Sequence, residues 1–328
     1  MPAYTLATPD TTYPRPRAAV TFDGAKLARP GRFVEASPEA VLPWITALTG
    51  NQPAPDRPLR TLGQLAEEQG AQVEDMMNLC QQLNDAGYIW LAPPDGVITI
   101  EEFRGEFRFW VRRWVRKMFD HPVWTQVGEG TADRRVLIGW AKECADYTGS
   151  VIRHMTRAAA NAEDSAEGWT LLTHNSQEWD HYALFEGACL AAGMPDDTFV
   201  RIPPLRSTVA VTHLMRRIAR RHPLVYNACE AMLEATAERP QRVVDFYTQV
   251  QKHYGYPEGF IQPIIDHLHV DADFEHIDIF DGLISGLEVI PFALVTEILE
   301  ACHELADSMH VWHAHIAAHY SRPDTAVA

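Results

Sequence analysis

The sequence predicts a mostly α-helical protein, a helical bundle preceded by a small α+β domain of winged-helix type. Two observations carry this. After Glu101 almost every stretch has apolar residues three and four apart, the period of a helix with one buried face. Before it, short strand-like runs alternate with turns and with brief helical segments.

Residues 1–16 (MPAYTLATPDTTYPRP) are proline-rich and aperiodic, so a flexible tail is expected. The small domain is expected over 17–100. Val20-Thr21-Phe22 and Arg32-Phe33-Val34-Glu35 read as short strands around turns at Asp23-Gly24 and Arg29-Pro30-Gly31. Ser37-Pro38-Glu39 places a cap and a first-turn proline ahead of Val41, Leu42, Ile45 and Leu48, which share a face until Gly50. Thr61-Leu62-Gly63-Gln64 is a capping box opening a helix that ends at Gly70. A second helix carries Val73, Met76, Met77, Leu79, Cys80 and Leu83 to Ala86-Gly87. Tyr88–Leu91 and Val97–Ile100 then predict a hairpin wing across Pro93-Pro94-Asp95-Gly96.

The bundle is expected over 101–328. Its helices fall at 101–119, 133–160, 166–192, 206–220, 222–237, 240–254, 257–277 and 287–319. Breakers stand between them, among them Gly128-Glu129-Gly130, Gly193-Met194-Pro195, Pro203-Pro204, Arg239-Pro240 and Gly255-Tyr256-Pro257.

Composition narrows the function classes. Hydrophobic residues at 46% with charged residues at 22% suit a globular chain. A net charge of -16 repels nucleic acid and anionic lipid, so neither is expected as a partner. The five cysteines are scattered without a CxxC, which removes thiolate zinc and disulfide frameworks. No apolar run approaches the roughly 18 residues of a membrane span and no signal peptide is visible, so a cytoplasmic location is expected. No GxGxxG, Walker or Gly-x-Ser-x-Gly motif is present.

The chemistry concentrates in Asp266–His276. His269, Asp273 and His276 stand at i, i+4 and i+7 and project within one sector of a helix, which makes three legs of a metal site. Such nitrogen and oxygen donors suit iron, manganese or zinc. Neighbouring helices must complete the set, as in helical bundles with di-metal cores. Glu178 and His181 offer an i, i+3 pair, and Glu230 and Glu234 lie one turn apart in an apolar helix where carboxylates need partners. His303, Asp307 and His310 repeat the His-x3-Asp-x2-His spacing, with His313 and His315 beyond, and read as a polar face complementing the dipole of the last helix. His267 and Asp271 are assigned to an ordinary solvated face.

These residues resemble the heme-oxygenase-like diiron oxidases, relatives in fold of the pyrroloquinoline quinone synthesis oxidase and the TenA thiaminases. That family's third metal helix carries His-x3-Asp-x2-His after a Tyr-Gly turn, and here Tyr254-Gly255 precede His269, Asp273 and His276. Its first metal helix is matched by Glu178, His181, Leu184 and Phe185. Many members place the glutamate seven residues before the histidine, where this chain has His174; the Glu178-x2-His181 spacing is similar to the alkene-forming fatty acid decarboxylases. Of the two middle-helix carboxylates, Glu234 fits the family's separations better than Glu230.

The resemblance implies a heme-oxygenase-like helical bundle, two Fe2+ ions held by Glu178, His181, Glu234, His269, Asp273 and His276, and dioxygen as co-substrate. It implies oxidation of an amino-acid-like substrate, with a metal-free oxidase or hydrolase, or a non-catalytic peptide-binding protein, as alternatives. Residues 18–100 are similar to the leader-peptide recognition elements of ribosomal peptide natural-product pathways. That implies a precursor peptide, or a small amino-acid-like molecule, as partner. Homodimer formation is left open.

Overall fold

The computed structural model of the protein describes residues 9, 14–17, 21–22, 26–29, 32–35, 42–51, 60–86, 88–91, 96–162, 165–234, 240–273, 276–323 and 325. Side chains are described within these except at 21–35, 240, 268, 270–273 and 276–278. The chain divides into two compact units, one of Met1–Arg104 with Glu288–Thr296 and one of Gly105–Leu287 with Glu297–Ala328.

In the first unit, β1 (Arg15–Pro16), β2 (Thr21–Phe22), β3 (Lys26–Arg29) and β4 (Arg32–Glu35) lead into α1 (Leu42–Thr49), α2 (Leu62–Glu68) and α3 (Val73–Asp85). β5 (Ile89–Trp90) and β6 (Val97–Thr99) follow. β2, β3 and β4 make an antiparallel three-stranded sheet with Leu27 opposite Val34. The capping box at Thr61 forms in both directions, Gln64 N–H donating to Thr61 Oγ1 and Thr61 N–H to Gln64 Oε1. Ile45, Leu48, Leu62, Leu65, Met76, Cys80 and Leu83 close a core against Tyr88 and Ile89. Apolar burial of this kind, at about 25 cal/mol per Å², is the main stabiliser of a unit this small.

Three expectations for this unit are corrected. The end of the tail is structured, because β1 pairs antiparallel with β5 and buried Asn51 donates through Nδ2 to the carbonyls of Pro14 (2.6 Å) and Arg60 (2.9 Å). Arg17 lies over the Trp90 ring at 3.8 Å and donates to Ile89 O. Nor do the described residues form a hairpin wing, since β6 pairs instead with β7 (Val289–Pro291), Ile98 opposite Ile290. The third correction follows from the second: Glu288–Thr296 belongs to the first unit, although the sequence reads as one bundle from 101 onwards. Apolar alternation marks a strand but not its partner, and this partner lies far along the chain.

The helices run α4 (Ile100–Phe119), α5 (Pro122–Gly128), α6 (Arg135–Asn161), α7 (Ala166–Gln177), α8 (His181–Ala191), α9 (Thr198–Arg201), α10 (Arg206–Ile218), α11 (Pro223–Glu234), α12 (Pro240–Tyr254), α13 (Glu258–Asp273), α14 (His276–Ile284) and α15 (Phe292–Tyr320). In the second unit α6 is the central post, packed by α7, α8, α10 and α11. Its burial extends to charged residues. Lys142, wholly buried, pairs with Glu143 (3.2 Å) and Asp146 (2.7 Å), and Glu143 accepts from Tyr320 Oη (2.6 Å), Leu205 N–H (2.9 Å) and Thr208. Buried charges need such full pairing. Gly139 is required beside it, because a Cβ there would stand 2.1 Å from the Tyr320 ring.

The single helix expected at 166–192 is broken. Glu178–Asp180 form a 3-10 turn between α7 and α8, a tightening that recurs at functional hinges. Of the helix expected at 257–277, α13 is described to Asp273 and α14 from His276, and 274–275 lie outside the described residues.

Candidate metal centre

The 3-10 turn shapes the centre. His174 and Glu178 are one α-helical turn apart, and the 3-10 pitch then eclipses Glu178 and His181, so the three side chains fall in one line. Glu230 and Glu234 line up in the same way on α11. The two lines meet. His174 Nε2 lies 3.1 Å from Glu234 Oε1 and 3.7 Å from Glu178 Oε1, and His181 Nδ1 lies 3.0 Å from Glu178 Oε1. Ligand atoms of His174, Glu178 and Glu234 all fall within 4.8 Å of one another, as metal-binding groups do.

Burial and pairing oppose one another here. Burial alone would lower the His174 pKa, but hydrogen bonding with Glu178 and Glu234 raises it to about 10. Burial alone would raise Glu178, yet His174 and His181 hold it well below the usual carboxylate range. Among the described residues Glu230 has no such histidine in hydrogen-bond contact, His154 Nδ1 standing 4.0 Å away. Burial, aided by the charge of Glu234, pushes it up to about 8. Tyr226 donates to it and is also 2.6 Å from His154 Nδ1.

The sequence-predicted residues divide between those the structure gathers and those it does not. Glu178, His181 and Glu234 come together. His174, noted in the sequence only as standing where relatives have glutamate, joins them. His269 does not: it is exposed on α13. Instead His267, assigned to a solvated face, puts its ring 5.0 Å from that of His181 and 4.8 Å from Phe185. Two residues on an α-helix are about 200° apart, so His267 and His269 cannot both face the centre. Asp273 ends α13 and His276 begins α14, and their side chains lie outside the described residues. Sequence reasoning missed Tyr147, His154 and Tyr226. The available signal was Tyr226, one turn before Glu230 on the same face.

No protein-family model and no curated protein matches the chain. Solved structures do. A domain of unknown function with a heme oxygenase-like fold from Shewanella denitrificans OS217 superposes with a TM-score of 0.56 at 11% identity, covering 68% of this chain and 94% of that one. A TenA homolog from Pseudomonas syringae pv. tomato str. DC3000 gives 0.51 at 12% identity, covering 65% and 92%. The chain has a heme-oxygenase-like fold. At these identities the likeness concerns architecture, so the chemistry of this heme-oxygenase-like protein must be argued from its own residues. No helix among the described residues is long and apolar enough to cross a membrane.

Proposed function

We propose that this protein is an iron-dependent oxidase that uses dioxygen on an amino-acid-like substrate, a residue of a ribosomal precursor peptide. The carrying observation is the buried meeting of His174, Glu178 and Glu234 within 4.8 Å, with His181 beside them. The donor set fits a divalent cation: mixed imidazole and carboxylate without thiolate, with two carboxylates to balance two positive charges. These residues would hold one iron. A second iron would draw on α13 and α14, through Asp273 and His276, and through His269 only if α13 turned it inward in place of His267. Iron bound there supplies the electrons that turn dioxygen into an oxidant.

The chain's own part is to shape the surroundings. Phe185 and Leu171 are buried on the same helices and exclude water. Tyr226 holds Glu230 in place, while Glu178 fixes the orientation of the His181 ring. In the first unit, β2 and β4 are the outer strands of the three-stranded sheet, an arrangement to which a leader peptide could add a further strand. α3 carries no Lys or Arg, which suits a peptide better than DNA.

The test is metal content. Full-length protein given Fe(II) without oxygen is expected to hold close to two irons per chain, and to bind a leader peptide encoded beside its gene. Iron at background would sink the oxidase reading. It would favour a second one, a metal-free acid–base site, for which the mutual pairing of His174 with two glutamates and the likeness to a TenA homolog both speak. Activity unaffected by chelators would mark that second reading.

A further inference from the structure

Buried polar atoms almost always have hydrogen-bond partners, so those that lack them ask for an occupant. Three such atoms lie around the metal cluster and are not used by it. Glu230 Oε1, Tyr147 Oη and His154 Nε2 are each buried without a hydrogen-bond partner among the described residues. Glu230 is 7% exposed and His154 0%. Glu230 Oε1 is 4.0 Å from His154 Nδ1. Tyr147 and His154 stand two turns apart on one face of α6, ring centroids 6.2 Å apart, and the charge felt most strongly by the Tyr147 hydroxyl is that of Glu230.

We propose that Glu230, Tyr147 and His154 form a subsite for a primary ammonium group on the substrate, beside the metal centre. This rests on the oxidase reading above and names the substrate class it acts on. Hydrogen-bond direction supports it. Tyr226 donates to Glu230, so its oxygen accepts from His154 Nδ1–H, and Nε2 is left with a lone pair. Carboxylate, imidazole nitrogen and phenol oxygen thus offer three acceptors, matching the three N–H donors of an ammonium group. Charge supports it as well. With Glu178 and Glu234 assigned to a divalent ion, Glu230 is the carboxylate left over, and one carboxylate balances one ammonium. The His154 ring adjoins those of Tyr147 and Tyr226, with His154 and Tyr226 centroids 5.7 Å apart, an aromatic setting that favours an organic cation over a hydrated metal ion.

The experiment is a calorimetric titration of the full chain, without metal and again loaded with Fe(II) under nitrogen. The probes are n-butylammonium, n-butanol and butyrate, alike in tail and different in head. Butylammonium should bind at least about tenfold more tightly than either of the others, a margin within reach of one charge-assisted hydrogen bond. Glu230→Gln should erase that preference while iron per chain stays at the wild-type value. Tyr147→Phe should weaken butylammonium several-fold, also with iron unchanged. Equal binding of the three probes overturns the subsite, and so does loss of iron in Glu230→Gln, which would make Glu230 a metal ligand. If wild-type protein holds no iron, the oxidase reading falls alone, because the metal-free titration still decides the subsite.

Discussion

The chain contains His-x3-Asp-x2-His twice, at His269–His276 and at His303–His310, and the two copies have different surroundings. In the second copy all three residues are engaged in docking α15 against α4. His303 Nδ1 accepts from Trp114 Nε1 at 2.9 Å, Asp307 pairs with Lys117, and His310 Nδ1 bonds Lys117 O at 3.1 Å. In the first copy, His269 is exposed and the neighbour that approaches the His174–Glu178–His181 side chains is His267. Spacing along a helix says which residues share a face. What that face meets is decided by tertiary packing, and only the partner atoms separate a ligand set from a docking seam.

The sharpest way to break the comparison is to remove one residue at a time and count iron. Glu178→Ala and His174→Ala should bring the largest loss, iron falling to background, because each removes an atom of the described three-ligand group. His303→Ala and Asp307→Ala should leave iron at the wild-type value. Asp307→Ala should cost at most about 1 kcal/mol of stability, since Lys117–Asp307 is a half-exposed pair, and His303→Ala about 1–3 kcal/mol, since buried Trp114 loses its acceptor. If iron fell in the second set and not in the first, the centre would lie on α15. His269→Ala is expected to leave at least one iron per chain. Loss of both irons would show that α13 turns His269 inward when metal binds.

Most of the helices were legible in the sequence because periodicity and breakers are local. α6, α10 and α12 begin and end within a few residues of expectation. The centre was legible in part: Glu178, His181 and Glu234 could be named from spacing and resemblance, and they meet. His174 was visible only as a departure from the family pattern, since nothing local shows that it faces Glu234 across two helices. The 3-10 turn at Glu178–Asp180 was hidden too. The residues around it carry helical spacing with no Gly or Pro, so nothing local marks the turn. The same holds for β7, whose partner β6 lies almost two hundred residues earlier in the chain.

A smaller effect separates the two carboxylates of α11. Glu234→Gln should lower iron per chain, because Glu234 Oε1 is the atom 3.1 Å from His174 Nε2. Glu230→Gln should not, as Glu230 lies outside the three-residue group. Equal losses, measured by metal analysis after the same reconstitution, would make both carboxylates ligands and leave no acid for an ammonium group.

The mildest prediction concerns the second copy's neighbour His313, three residues beyond His310. It is buried, its Nδ1 bonds Met118 O at 3.0 Å, and Trp124 approaches the same nitrogen. Burial, reinforced by nearby His121 and His310 and opposed by the Met118 carbonyl, lowers its pKa to about 3. The unfolded chain binds a proton here near pH 6.5 while the folded chain does not. The stabilisation is therefore complete above about 6.5 and is lost as pH falls from there toward 3. At pH 5 the loss is about 2 kcal/mol for this one group. His313→Asn keeps a donor for the Met118 carbonyl but removes the titration, so urea melts at pH 7 and pH 5 should show the variant losing less stability than wild type on acidification, by about that amount. An identical loss in both proteins would mean that His313 takes up its proton in the folded state. The seam between α15 and α4 would then be open to water, and the structural role assigned to the second histidine copy would fail with it.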